Sequence, residues 1–195
     1  MMAGDTVTER DLYAPASRFL YVSFLLKLRA NSAHENLQLF ASDTSSVPHA
    51  DGGQWTRPDL AALVLAKGQF VPHWRADLHT FEVKTAKGLS ETAVHEANAH
   101  GRFANYAWLV FHASGKAEIK EDGLARKVMR LAAHLGVGVI HFVSAENPHT
   151  WEISVWPRRT GTDLATTDNF VRERFSPEVK EQILRNLKSH GWGEA

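Results

Sequence analysis

The sequence predicts one α/β domain built on a central mixed β-sheet flanked by helices. Three observations predict it. Helix-patterned segments and short β-rich runs follow one another in the order α-β-β-β-α-β-α-β-β-α, and mixed order of this kind implies a mixed sheet with helices packed on it. At 195 residues the chain is long enough for one domain with a sizeable core. With 44% hydrophobic and 23% charged residues, and no internal repeat or low-complexity segment, it has the make-up of an ordinary globular protein.

The elements follow in order. The segment from Thr8 to about Arg29 is helical in pattern. Thr8 stands at its cap, with Asp11 three residues later as a capping-box-like partner. Leu12, Phe19 and the stretch Leu25–Leu28 supply an apolar side, while Pro15 predicts a kink or an early break. Leu37-Gln38-Leu39-Phe40 is a short strand, and residues 42–54, rich in Ser, Pro, Gly and Asp, form a loop. After Pro58 and Asp59, the residues Leu60–Ala66 read as a second strand. A turn over Lys67–Trp74 leads to a third, Leu78–Thr85, which completes an antiparallel meander. Ser90 caps a helix running to about Phe103, and Tyr106–Phe111 is a strand. A helix from about Glu121 to Leu135 puts Leu124, Val128, Leu131 and Leu135 on one side and stops at Gly136. Val137–Val143 and Trp151–Trp156 are strands. Ser176-Pro177-Glu178 starts the last helix, where Val179, Ile183 and Leu187 recur at four-residue spacing. The domain spans 1–195, with its core at about 8–143 and a C-terminal strand and helix over 150–190.

Composition narrows the chemistry. The absence of cysteine excludes disulfides and thiolate metal sites, and with no signal-peptide pattern the expected address is cytoplasmic. The longest apolar run, Phe19–Leu26, is too short to cross a bilayer and is interrupted by Ser23, so no membrane partner is expected. Lys plus Arg equals Asp plus Glu, 22 against 22, so there is no global basic footprint for nucleic acid. An acidic active site and a basic face could nonetheless cancel in that total.

The residues that carry chemistry are Arg57-Pro58-Asp59 and Glu82-Val83-Lys84. Side chains alternate along a strand, so Glu82 and Lys84 share a face while Phe81 and Val83 take the other. Taken alone, the tripeptide also suits a solvent-facing ion pair. Asp59 changes this, because the meander sets it beside the Glu82 strand. Two carboxylates converging near one lysine make a hard-oxygen site suited to Mg²⁺ or Mn²⁺. A divalent ion there can neutralise a scissile phosphate and acidify bound water, and the lysine can orient that water or stabilise the transition state. Asp77 is a rival for the first carboxylate, but five residues before Glu82 it faces the other side of a regular strand.

Pro58-Asp59, a spacer, and Glu82-Val83-Lys84 together resemble the PD-(D/E)XK motif of the restriction-endonuclease-like superfamily, and the α-β-β-β-α-β order from Thr8 to Phe111 is similar to its core. The resemblance implies a metal-dependent nuclease, endonuclease or exonuclease, acting on DNA in preference to RNA with Mg²⁺ or Mn²⁺ as cofactor. It implies Asp59 and Glu82 as metal ligands, a metal contact from the Val83 carbonyl, Lys84 as the assisting group, and Glu9 as a further acidic residue from the first helix. Relatives often carry a polar residue on the helix after the motif, where Glu96 and His100 lie four apart on one side and His95 lies nearby. The spacing of His95 and His100 does not match a helical zinc pair.

Arg57 and Lys87 flank the motif as candidate substrate contacts. Arg126, Lys127, Arg130 and Arg158-Arg159 are further basic candidates, and Trp55 and Trp74 could stack on bases. Each also fits a solvated surface. Two other readings stand beside the nuclease. One is a catalytically silent nuclease fold used for nucleic-acid binding or assembly, as a homodimer or beside a partner protein that supplies targeting. The other is a general α/β binding domain in which Glu-Val-Lys is a coincidence.

Overall fold

The computed structural model describes residues 7–31, 36–46, 57–67, 74–113 and 123–189. Strands β1 (Asn36–Asp43), β2 (Leu60–Lys67) and β3 (Trp74–Lys84) form the expected antiparallel meander. β4 (Tyr106–His112) and β5 (Gly138–Phe142) continue the sheet in parallel, and β6 (Trp151–Val155) closes it antiparallel. The spatial order is the chain order, β1 to β6, in one six-stranded sheet. Parallel neighbours need a crossover. Helix α2 (Glu91–Ala99) supplies it between β3 and β4, and α3 (Gly123–Leu135) between β4 and β5.

Helices cover both faces. α1, the helical segment of residues 10–30, packs Phe19 and Phe24 against Phe81, Val83 and Trp108. On the opposite face, α2 and α3 pack Val94, Ala97 and Val128 against Leu109 and Phe111. Beside them, α4 (Leu164–Arg174) and α5 (Pro177–Ser189) bring Phe170 and Ile183 onto Leu63 and Leu78. β2 is therefore buried on both sides from Leu60 to Ala66, which explains why its sequence is continuously apolar rather than alternating.

Several expectations need correction. Pro15 neither kinks nor breaks α1. It sits in the first α-helical turn, just after the 3₁₀ turn Arg10–Leu12, where the hydrogen bond it cannot make is nearly dispensable. The irregularity comes later, as a π-turn over Leu20–Phe24. The entry turn uses half of a capping box: Asp11 accepts both the Thr8 backbone N–H (2.8 Å) and its hydroxyl (2.7 Å). β1 runs to Asp43 and so takes in Ser42 and Asp43 from the predicted loop, while residues 47–54 of that loop lie outside the described residues. α2 ends at Ala99 and passes into a 3₁₀ turn, His100–Arg102, before Phe103. α4 was not expected. Asp163 caps it by accepting the Thr166 N–H at 2.8 Å, but the run Thr166-Thr167-Asp168-Asn169 has low helix propensity and hides the pattern. Gly136 does end α3, in the left-handed region at φ +79°. No helix among the described residues is long and apolar enough to cross a membrane.

Candidate active site

The site lies where β2 begins and β3 ends. The β2–β3 register ends with Leu60 paired to Phe81, and the Asp59 N–H, one residue off that register, donates to the Phe81 carbonyl at 3.1 Å. Asp59 thus lies in an irregular bend just before β2, beside the last residues of β3. Its carboxylate does not rise onto the face with Glu82. It turns along the strand end, where Oδ2 accepts the Val83 N–H (2.7 Å) and Oδ1 accepts the Tyr13 hydroxyl (2.5 Å). The N–H and C=O of one strand residue point the same way. The Val83 carbonyl therefore faces the same side as its N–H, toward Asp59 and past the start of β2.

Parity holds for Glu82 and Lys84. Both face α2, while the side chains of Phe81 and Val83 are buried against α1. The Lys84 ammonium lies 2.8 Å from Glu82 Oε1, 2.9 Å from Glu96 Oε2 and 3.9 Å from Glu9 Oε1. His100 is fully buried, its Nε2 3.8 Å from Glu82 Oε2, and neither ring nitrogen has a hydrogen-bond partner among the described residues. The 3₁₀ turn Ala86–Gly88 closes this end of the site, held by the Thr85 hydroxyl accepting the Gly88 N–H at 3.2 Å. A Cβ at Gly88 would stand 2.8 Å from Glu9 Oε1, so the turn presses directly on the Glu9–Lys84 pair.

Carboxylates outnumber cations here. Glu9, Asp59, Glu82 and Glu96 surround one ammonium. Burial, then the Asp59 charge, push the Glu82 carboxyl up to about 8 against the pull of Lys84. Burial also raises Asp59, opposed by its bonds from Tyr13 and Val83, and raises Glu9, opposed by Lys84. Tyr13 is held above its ordinary range by burial and by donating to Asp59. Lys84 is likewise raised: burial works against its charge, but Glu82, Glu96 and Glu9 outweigh it. His100 is pushed down to about 3 by burial, then by Lys84 and Arg102, and is neutral.

The donor chemistry fits a hard divalent cation. Asp59, Glu82 and the Val83 carbonyl are oxygen donors, and a cation would offset the burial, and the neighbouring negative charge, that raise these carboxyls. Among the described residues no group of three or more Asp, Glu or His side chains could hold an ion. Mg²⁺ does not need one, since it usually takes one or two carboxylates and completes its shell with water and phosphate.

The structure brings together Glu9, Asp59, Glu82, Val83, Lys84, Glu96 and His100. Arg57 is exposed two residues before Asp59, and Lys87 is exposed in the turn after β3. Asp77 is excluded as a rival. It lies on the face opposite Glu82, tied to Arg75 (2.6 Å) and Arg159 (2.9 Å). Arg158 and Arg159 are structural, Arg158 donating to the His134 carbonyl at the end of α3. Arg126, Lys127 and Arg130 are exposed on α3, and His95 is exposed on α2. Trp55 and the side chain of Trp74 lie outside the described residues. Tyr13 was missed. A usable signal existed, since Tyr13 lies four residues after Glu9 and so projects from the same side of the helical segment.

No family model matches the chain, and no curated protein matches it. Among solved structures it is similar to a protein of unknown function from Silicibacter pomeroyi, at 13% identity over 97% of this chain and 98% of that one, with a TM-score of 0.43. It is also similar to SfsA of Pyrococcus furiosus, solved in complex with Ca²⁺, at 14% identity over 80% of this chain and 65% of that one, with a TM-score of 0.32. Likenesses this distant carry no functional weight, and the function rests on the site itself.

Proposed function

We propose that the protein is a metal-dependent nuclease that hydrolyses phosphodiester bonds, in DNA in preference to RNA. The observation that supports this most is the meeting of Asp59, Glu82 and Lys84 at one strand end, where carboxylates outnumber cations. The preference for DNA follows from the resemblance to PD-(D/E)XK nucleases.

Asp59 and Glu82 would hold Mg²⁺ or Mn²⁺, with the Val83 carbonyl beside them. When bound, the ion neutralises the scissile phosphate and lowers the pKa of a coordinated water. The chain's own groups do the rest. Tyr13 and the Val83 N–H fix the Asp59 carboxylate from two directions, so that it enters the site already oriented. Lys84 is held charged by three glutamates, and its ammonium can donate to the attacking water or to a phosphate oxygen. Glu96 anchors Lys84 from α2, and His100 closes the wall behind Glu82 against bulk water. Arg57 and Lys87 stand exposed at the rim, where a phosphate backbone can meet them.

A second reading is a silent nuclease fold serving as a binding or assembly module, alone as a homodimer or with a targeting partner. It is favoured by the Lys84–Glu82 ion pair, which already occupies one oxygen of a proposed ligand. Cleavage of plasmid and linear DNA, and of RNA, with Mg²⁺, Mn²⁺ or EDTA separates the two. The nuclease reading expects divalent-dependent DNA cleavage that is abolished in Asp59→Ala and Lys84→Ala. Tyr13→Phe should lower apparent metal affinity or activity by about 10- to 100-fold, as loss of an outer-shell partner does. Cleavage that persists in both the Asp59 and Lys84 variants, or calorimetry showing no Mn²⁺ binding that needs Glu82, would sink it. Glu82→Gln is the suitable control for binding, because it keeps the side chain's size and one acceptor oxygen while removing its charge.

A further inference from the structure

Away from this site, the α1 face of the sheet holds a second concavity. It is a cavity of about 390 Å³ beside the end of α1, with walls that include Arg75, Asp77, His79, Tyr106, Trp108 and Trp156. Parity separates it from the candidate active site: Arg75, Asp77 and His79 lie on the odd-numbered face of β3, and Glu82 and Lys84 on the other. His79 and Lys84 are also about 17 Å apart along the strand.

Two features of the cavity point to a ligand. The first is an aromatic wall. The His79 ring stacks on Tyr106 (centroids 4.6 Å apart, planes 26°) and lies nearly parallel to Trp108 (6.3 Å, 17°). Trp156 meets Trp108 edge-on at 5.9 Å and is 40% exposed, an indole left open to solvent at the cavity. The second is a polar wall whose hydrogen-bonding sense can be counted. Asp77 is used on both oxygens, Oδ2 by Arg75 Nε and Oδ1 by Arg159 Nε. Arg75 gives one more N–H to the Tyr106 hydroxyl at 2.9 Å. A guanidinium has five N–H groups, so among the described residues three remain on Arg75, and the Tyr106 hydroxyl keeps its own proton to donate. The wall therefore offers donors from Arg75 and Tyr106, with Asp77 shared between Arg75 and Arg159.

We infer that this cavity binds a planar heteroaromatic ring of nucleobase size, stacked on the exposed Trp156 indole with an acceptor-bearing edge toward Arg75 and Tyr106. A cavity of this volume with a mainly apolar lining and a few convergent polar groups suits a small molecule. Two adjacent acceptors on a ring edge match a guanidinium fork, as the O6 and N7 atoms of guanine do. The inference is independent of any nuclease activity, since it uses no residue of that site.

Guanosine is the probe. Titrated into the full-length chain by calorimetry, with ligand-observed NMR in parallel, it should bind saturably below about 1 mM. Trp156→Ala, which alters a partly exposed residue, and Arg75→Gln should each weaken binding by about tenfold or more. Glu82→Gln should leave it unchanged, which separates this cavity from the other site. Absence of saturable guanosine binding to the wild-type chain overturns the inference. So does binding that survives both the Trp156 and Arg75 substitutions, or binding that Glu82→Gln removes.

Discussion

His79 should make the fold acid-sensitive in a way that one substitution can isolate. Its ring is 3% exposed, lies among Tyr106, Trp108 and Phe24, and accepts the Trp108 indole N–H on Nδ1 at 3.1 Å. Burial, and after it the Arg75 charge, push its pKa from 6.5 to about 3. The folded protein thus refuses a proton that the unfolded chain takes up. Below the unfolded value the unfolded state binds more protons, so this contribution to stability is complete at neutral pH and is lost as pH falls from 6.5 toward 3. For one site with these two values, acidification from pH 7.5 to pH 5 costs about 2 kcal/mol, and each further unit down to the folded value costs about 1 kcal/mol more. His79→Asn is the informative change. Its amide oxygen can still accept the Trp108 N–H, and it does not titrate. The variant starts less stable, because ring packing is lost. Urea unfolding of both proteins at both pH values, in EDTA, yields the quantity of interest: the acid-induced loss should be smaller in the variant by about 2 kcal/mol. Every other titrating group acts alike on the two proteins and drops out of that difference. Equal losses in the two proteins would refute the reasoning, since they would mean that His79 is protonated in the fold or that the fold opens locally to admit the proton.

Two glycines predict opposite outcomes for the same substitution. Gly138→Ala would bring a Cβ to 2.3 Å from Trp108 Cε3, and that indole is fully buried between Phe24, Phe81 and His79, with nowhere to move. Thermal or urea unfolding should show a loss of about 1–3 kcal/mol or more; a variant as stable as wild type would contradict the packing described for β4 and β5. Gly88→Ala meets instead the far end of a flexible side chain, Glu9 Oε1 at 2.8 Å. Folding stability should stay within about 0.5 kcal/mol, while Glu9 is driven off Lys84 and divalent-dependent cleavage falls; unchanged cleavage with a displaced Glu9 would remove Glu9 from the site.

The parts of the fold that were legible in the sequence are those where one local rule decides. Two-residue periodicity determined that Glu82 and Lys84 share a face, and no packing arrangement of an intact strand can undo that. Ser90, Gly136 and Ser176-Pro177 mark helix ends by chemistry that operates within one turn. Legibility failed where tertiary contacts decide. The threonines and acidic residues of α4 weaken its helical pattern, and the helix is secured by Phe170 packing on Phe103 and Phe175. Arg158 and Arg159 looked like phosphate ligands because a sequence displays charge without its partners. One caps a carbonyl, and the other neutralises Asp77.

The same distinction explains how the site itself is assembled. Two helices on opposite faces of the sheet each contribute residues four apart, Glu9 and Tyr13 from the start of α1 and Glu96 and His100 from α2 and the turn after it. Both sets close on the end of β3, where the irregular start of β2 sets Asp59 against Val83 and Tyr13. Four-residue spacing made the Glu96–His100 pair visible and could have flagged Glu9 with Tyr13, but only the sheet could show that the pairs face each other. Tyr13 lies 46 residues before Asp59, and an aromatic beside Leu12 has the sequence signature of a core residue. Its hydroxyl is what sets it apart, because Phe in its place would fill the same volume and leave Asp59 Oδ1 without its donor. A tyrosine at this point is thus better explained by the carboxylate it orients than by the core it borders.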